Sequence, residues 1–412
     1  MRNVALLAVL AIGVSSITFA SPVGSIQGSV KDSTGALVPG VRITLTNNST
    51  NAKINTTTNA NGEFQLLQLA PATYSLVAEA QGFKRVDVPS VLVQVDQITH
   101  LDLALEIGSL SESVQVEAVA PLLENDKSTL SSVVNSRTIS DMPLNARQVL
   151  DLALVTPGVV PTAAGTQVLS FNVAGARSQS NIFMWDGVSN MDTQVDGALN
   201  AFRITDAVQE FSVQTSVASA EYGRGTGGEV DVVTKSGTNA FHGSLFEYLR
   251  NSDLDAADFF TNRNRAPKNP LHRSQYGATF GGPIKRNKTF FFVSYEGFRQ
   301  VAPTVSTTEV PTLTERGQVT DPISKALLQF WPLPNTSVPG TANNFIANVG
   351  ATDFDHTGLI RIDHRIGDKD VLIGRFADFQ GTFFTPGALP NLNGKRECAR
   401  EPERFLGGGS HL

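Results

Sequence analysis

Residues 221–244 read EYGRGTGGEVDVVTKSGTNAFHGS, and within them GRGTGG, Gly223–Gly228, satisfies G-x-G-x-x-G, the spelling of a dinucleotide-binding turn. Such a turn works only where it opens a helix, because the helix N-terminus supplies the amides and the positive dipole end that hold phosphate. Here EVDVVTK follows, with Val230, Val232 and Thr234 alternating with Asp231, Val233 and Lys235, which is β-branched strand text without helical period. A phosphate loop of the other kind is excluded because Glu229 stands where lysine is required. The glycines therefore serve backbone turning and close packing in front of a strand, and no cofactor is expected from them.

Downstream of this strand the text remains β. FHGSLFEYLRN reads as one strand; RSQYGATFGGPI, the turn KRNK and TFFFVSYEGFRQ read as a hairpin; GLIRIDHRI, GDKD and VLIGRFADFQG read as another. Strands of about 9–11 residues joined by short polar turns are the signature of an outer-membrane barrel. Ile360, Ile362 and His364 alternate with Arg361, Asp363 and Arg365, as a lipid face and a lumen face would. The alternation in TFFFVSY is poorer. A soluble antiparallel sheet fits these segments locally.

Upstream, residues 1–20, MRNVALLAVLAIGVSSITFA, carry Arg2, an apolar run from Val4 to Val14, and small residues at Thr18 and Ala20, suiting signal-peptide cleavage after Ala20. The run is too short for a convincing membrane anchor. Residues 22–105 then show short alternating strands between turn clusters: Ile43 and Leu45, Phe64 and Leu66, Tyr74, Leu76 and Ala78 mark one buried face. Pro71 is followed by Ala72, and a left-handed turn there would cost alanine about 1 kcal/mol. Residues 106–121 read as a linker, and residues 122–237 mix one helix with several strands; Asn145 is placed to cap a helix through ARQVLDLALV that stops before Pro157 and Gly158.

Composition agrees with a mainly β chain. Only 17% of the 412 residues are charged and the net charge is −6, so no basic surface points to nucleic acid. The single cysteine, Cys398, excludes a disulfide framework and a cysteine-based metal site. The six histidines are scattered without metal-ligand spacing, DTQVDG from Asp192 lacks the third oxygen position and terminal glutamate of a calcium loop, and no serine sits in G-x-S-x-G. Neither a catalytic constellation nor a metal site is expected.

Three segments carry a resemblance. GSVKDSTGALVPGV from Gly28, NGEF at Asn61 and YSLVAEAQGF ending at Phe83 resemble the carboxypeptidase regulatory-like domain, which implies a Greek-key sandwich without catalysis. VAGARSQSNIFMWDGV, VQEFSVQTSVASAEYGRGTGGEVDVVTKSGTN and FHGSLFEYLRN resemble the plug domain of a TonB-dependent outer-membrane receptor, and the combination resembles Oar-like receptors. The resemblance implies a sandwich, a mixed α/β plug over 122–237 and the first strands of an antiparallel outer-membrane barrel over 238–395. It implies a TonB-type energising protein, outer-membrane lipid and an unidentified extracellular ligand as partners. Glu112, Ser113, Val114, Gln115 and Val116 are similar to a TonB box, an extended segment that pairs with an edge strand of the energising protein; the same text equally suits a last strand of the sandwich. Arg177, Asp186, Gly187, Gly223, Arg224, Gly228 and Lys235 mark the plug motif, with charges suited to breakable contacts against a polar wall. An adhesive surface protein on the same scaffold is the other functional reading, and dependence of ligand uptake on the box separates the two. Receptors of this kind close about 22 strands, whereas about five are legible after Asn239, and residues 396–412 lose the strand pattern. The chain is therefore expected to be a fragment of such a receptor.

Overall fold

The computed structural model describes residues 23–109, 113–115, 130–162, 171–192, 197–198, 204–216, 225–257, 259–263, 270–336, 342–367, 370–384 and 389. The signal-like segment and the irregular tail lie outside them.

The first body is the sandwich. Strands β1 (Gly24–Asp32), β2 (Arg42–Asn47), β3 (Lys53–Thr57), β4 (Glu63–Leu69), β5 (Ala72–Glu79), β6 (Arg85–Val93), β7 (Ile98–His100), β8 (Leu103–Leu105) and β9 (Ser113–Gln115) form two sheets. One has the order β4-β1-β7 with β8 also on β1; the other runs β3-β2-β5-β6-β9. Alternation in the sequence becomes alternation in burial: every second residue of β1 and β5 enters a core of Ile26, Val30, Ile43, Leu45, Phe64 and Leu76. Ala72 is not left-handed but opens β5 as extended backbone; the nearest positive φ (57°) is on Gln68, within β4 where its register with β1 shifts.

The second body is the plug. Its elements are β10 (Leu130–Val134), α1 (Ser136–Asp141), β11 (Val159–Pro161), β12 (Phe171–Val173), β13 (Ile182–Trp185), β14 (Val188–Ser189), β15 (Met191–Asp192), β16 (Gly197–Ala198), β17 (Val208–Ser216) and β18 (Glu229–Thr234). Five of these make one mixed sheet in the order β10-β17-β18-β13-β14, with β13 and β18 parallel. Phe183, Trp185, Phe211, Val213, Val230 and Val232 build its apolar face. The turns of Val149–Val155 cover that face through Val149, Leu150, Leu152 and Ala153. The α-helix expected from Asn145 is absent. Ala146 and Arg147 adopt left-handed φ of 55° and 50°, which breaks the helix at its start, and 3₁₀ turns follow over Val149–Val155. The capped helix is instead α1, where Asn135 accepts a hydrogen bond from the Thr138 amide.

The third body is one antiparallel sheet in sequential order, β19 (His242–Asn251), β20 (His272–Lys285), β21 (Thr289–Thr308), β22 (Phe345–Arg365) and β23 (Val371–Phe384). Short turns join β20 to β21 and β22 to β23; the opposite end carries longer connections, including α2 (Phe259–Arg263) and the capped helices α3 (Leu313–Gln318) and α4 (Pro322–Leu327). Strands of 20 and 21 residues reach about 65–70 Å, so β21 and β22 are far longer than the apolar band of about 25 Å of an outer-membrane barrel would require. On β22, Ile360 and Ile362 face outward at 49% and 43% exposure, while Arg361 and Asp363 face inward at 8% each. The weak alternation of TFFFVSY has a physical reason. Phe290 and Phe292 point inward, Phe292 into the plug's core, while Phe291 points outward into an aromatic group with Phe241 and Phe280, so both faces are aromatic. No helix among the described residues is long and apolar enough to cross a membrane.

Candidate functional site: the contact between plug and wall

The chain reverses between β13 and β14 at Asp186-Gly187, both with positive φ (48° and 78°), the conformation that Asp-Gly favours in a two-residue hairpin. This turn carries the Asp186 carboxylate to the rim of the plug sheet. Its Oδ1 accepts from the Thr234 amide at 2.7 Å and its Oδ2 from the Thr234 hydroxyl at 2.8 Å, tying the hairpin to the end of β18. The same two oxygens then meet the wall. Arg361 of β22 donates Nη1 to Oδ1 at 3.2 Å, and Arg375 of β23 donates Nη1 to Oδ2 at 3.0 Å. All three side chains are about 90% buried.

The two arginines are held from their other sides. Arg361 donates Nη1 to the Thr234 carbonyl at 2.9 Å and forms a fork with Asp363, with Nε and Nη2 contacts of 2.9–3.1 Å. Asp363 also accepts from the Ser236 hydroxyl at 2.9 Å, and Arg375 stacks 4.3 Å over the Trp185 ring. Two guanidiniums and two carboxylates therefore form a buried network spanning two bodies. A second polar contact lies on β19 and β20. Arg147, paired with Asp206 at 3.0 Å, stands over the rings of Phe246 (4.8 Å) and Tyr248 (4.4 Å), and Asn145 accepts from Arg273 at 2.8 Å.

The expected site residues are distributed unevenly. Asp186 and Gly187 stand at the contact. Lys235 follows β18; burial pulls its ammonium pKa down, Asp206 offsets this and Arg147 adds to it. Arg177 is exposed beside a 3₁₀ turn, away from the network. Gly228 packs against β12: a Cβ there would lie 2.6 Å from Val173 Cγ1, and one on Gly227 2.5 Å from Asn181 Oδ1. These glycines permit close approach, not left-handed backbone, since neither has a positive φ. Gly223 and Arg224 lie outside the described residues. So do Glu112 and Val116, while Ser113, Val114 and Gln115 form β9, paired in parallel with Arg85, Val86 and Asp87 of β6. Arg361 carried a sequence signal, its inward phase on β22; Arg375 and Arg147 had none beyond being basic. Among the described residues no group of three or more His, Cys, Asp or Glu can hold a metal ion.

Comparison with known proteins follows the same three bodies. Residues 25–106 match the carboxypeptidase regulatory-like domain, residues 124–230 the TonB-dependent receptor plug domain, and residues 233–320 and 317–409 an outer membrane beta barrel domain. The TonB-dependent transporter Oar of Myxococcus xanthus is 24% identical over 346 residues, covering 79% of this chain and 31% of that protein, so the chain spans about a third of the curated relative it matches. Among solved structures, the outer membrane transporter YddB from Escherichia coli is similar at a TM-score of 0.44 and 12% identity, over 63% of this chain and 34% of that one. The siderophore receptor PirA from Acinetobacter baumannii is similar at 0.39 and 15% identity, over 62% and 32%. With a regulatory-like sandwich, a plug domain and outer-membrane barrel strands in this order, the chain has the domain order of a TonB-dependent outer-membrane receptor over the length it spans and is similar there to Oar.

Proposed function

We propose that the protein takes up an extracellular ligand through the outer membrane, driven by a TonB-type protein that pulls residues 112–116 and shifts the plug. The observation that carries this reading is the Asp186 network. A carboxylate shared by two guanidiniums holds the plug in one place. Once separated, however, the ions regain their hydration, so the contact can open at a smaller net cost than the Coulomb attraction alone suggests. Export after removal of residues 1–20 belongs to the same reading. Support for the box comes from β9, which stands at the end of its sheet with its outer edge unpaired among the described residues. An extended segment with an open edge is what strand addition requires.

A test uses cysteine capture in cells of the native host. With Cys398→Ser as background, Gln115→Cys should form a disulfide-linked adduct with a cysteine variant of the host's TonB-type protein. Val114→Pro, which removes an amide donor and blocks strand addition, should lower its yield about tenfold or more. Equal yield with Val114→Pro would move the box elsewhere. Absence of any adduct across 112–116 would contradict the energised reading and leave the adhesive one.

A further inference from the structure

Opposite its apolar face, the plug sheet presents Glu210, Ser212 and Gln214 of β17 beside Glu229 and Asp231 of β18, all of them buried. Part of that cover is the sandwich. The loop between β6 and β7 lies against β17. The Val95 amide donates to Glu210 Oε1 at 2.6 Å, and the Ser212 hydroxyl donates to Asp96 Oδ2. Gln209 donates to the Pro71 carbonyl at 2.8 Å. Asp96 is held at a φ of 54°, which carries a fourth carboxyl into this region.

The charges facing one another are of one sign. Asp231 meets Asp96 of the sandwich loop, Glu229 of its own strand and Asp186 of the β13–β14 turn; Glu210 meets Asp96, with the Val95 amide and Gln94 side chain as its donors. Among the described residues the nearby cations are engaged elsewhere, Arg361 and Arg375 by Asp186, Arg147 by Asp206, with Lys235 also beside Asp206. Among the described residues neither oxygen of Asp231 has a hydrogen-bond partner, although the residue is 99% buried; the Gly187 amide favours its charge, without hydrogen-bond geometry. An ionised carboxylate in such a place costs several kcal/mol, and the group takes up a proton instead.

We infer that the sandwich is a proton-gated latch on the plug: seating the 94–97 loop over β17 and β18 requires carboxyls of that face to be protonated, and the latch opens when they ionise. The direction follows from linkage. Burial pushes Glu210 up to about 7 and raises Asp231 well above the usual carboxylate range. Groups raised in the docked state favour docking fully below their free value near 4 and lose that contribution as pH climbs through the docked value. Docking is therefore strongest in acid and weakens by up to about tenfold per pH unit for each such group between its free value near 4 and its docked value, about 7 for Glu210. Among the described residues the sandwich and the wall are also tied by exposed hydrogen bonds, Asn51 to Asn287, Asn239 to the Ser49 carbonyl and Arg365 to the Lys53 carbonyl, none of which involves a carboxyl group. The latch is independent of what the receptor carries.

The test is a distance measurement on the full chain in outer membranes. Nitroxides on cysteines replacing the exposed Leu67 and Arg286, with Cys398→Ser, report sandwich against wall by double electron–electron resonance. One narrow distance is expected at pH 5, and a broad distribution above pH 8. The double substitution Glu210→Gln and Asp231→Asn, neutral at every pH, should keep the narrow distance throughout. If that variant does not assemble, Glu210→Gln alone should move the midpoint upward. A distance unchanged between pH 5 and 9, or the same broadening and midpoint in the neutral variants, would overturn the inference.

Discussion

Asp186 concentrates the physics of the contact in one side chain. Its turn is local, fixed by the tolerance of Asp-Gly for positive φ. Its partners, Arg361 and Arg375, lie 175 and 189 positions away. Asp186→Asn keeps the turn and an oxygen acceptor for the Thr234 amide but loses the Oδ2 acceptor facing the Thr234 hydroxyl and Arg375, and removes the charge that two buried guanidiniums share. Breaking a buried pair from one side costs about 3–5 kcal/mol, because a charge remains without compensation. Arg361 retains Asp363, whereas Arg375 retains mainly the Trp185 ring, so Arg375 is the side chain left exposed to that cost. The expected outcome is a plug that limited proteolysis releases at lower denaturant in Asp186→Asn than in the wild type, with most of the loss recovered when Arg375→Met is added. A double variant no better than the single would mean that Arg375 does not feel Asp186.

At the scale of elements, local pattern was legible in the sequence and partnership was not. Period-two alternation marked the sandwich strands and the outward and inward phases of β22, because one buried face leaves a residue-by-residue trace; on β18, buried on both faces, it separates an apolar face from an acidic one. The glycines ahead of β18 were legible as packing, yet the side chains they pack against, Val173 and Asn181, come from other parts of the plug. Local propensity failed at ARQVLDLALV. The helical text yields to Arg147, whose side chain is held by Asp206, Phe246 and Tyr248 while its backbone turns left-handed. Tertiary contacts outweighed a helix preference of a few tenths of a kcal/mol per residue. Gly228→Val should cost about 1–3 kcal/mol through overpacking against Val173, seen as faster amide exchange along Glu229–Thr234 by mass spectrometry. Unchanged exchange there would mean that the space at Gly228 is not needed.

For the whole molecule, three bodies meet around one plug sheet. Its apolar face is covered by its own turns and by Phe292, Leu359 and Ala377 of the wall; its rim is tied to the wall through Asp186; its acidic face lies partly under the sandwich. A third body acting as a membrane wall must have lipid on one side and the plug on the other. The most direct measurement places single nitroxides at Ile360, Arg361, Ile362 and Asp363, with Cys398→Ser, in the full chain in outer membranes, and reads collision with oxygen against a water-soluble nickel chelate. High oxygen and low nickel access at 360 and 362, with little of either at 361 and 363, is the predicted result. Nickel access at 360 and 362, or no two-residue period along the strand, would contradict a lipid-facing wall.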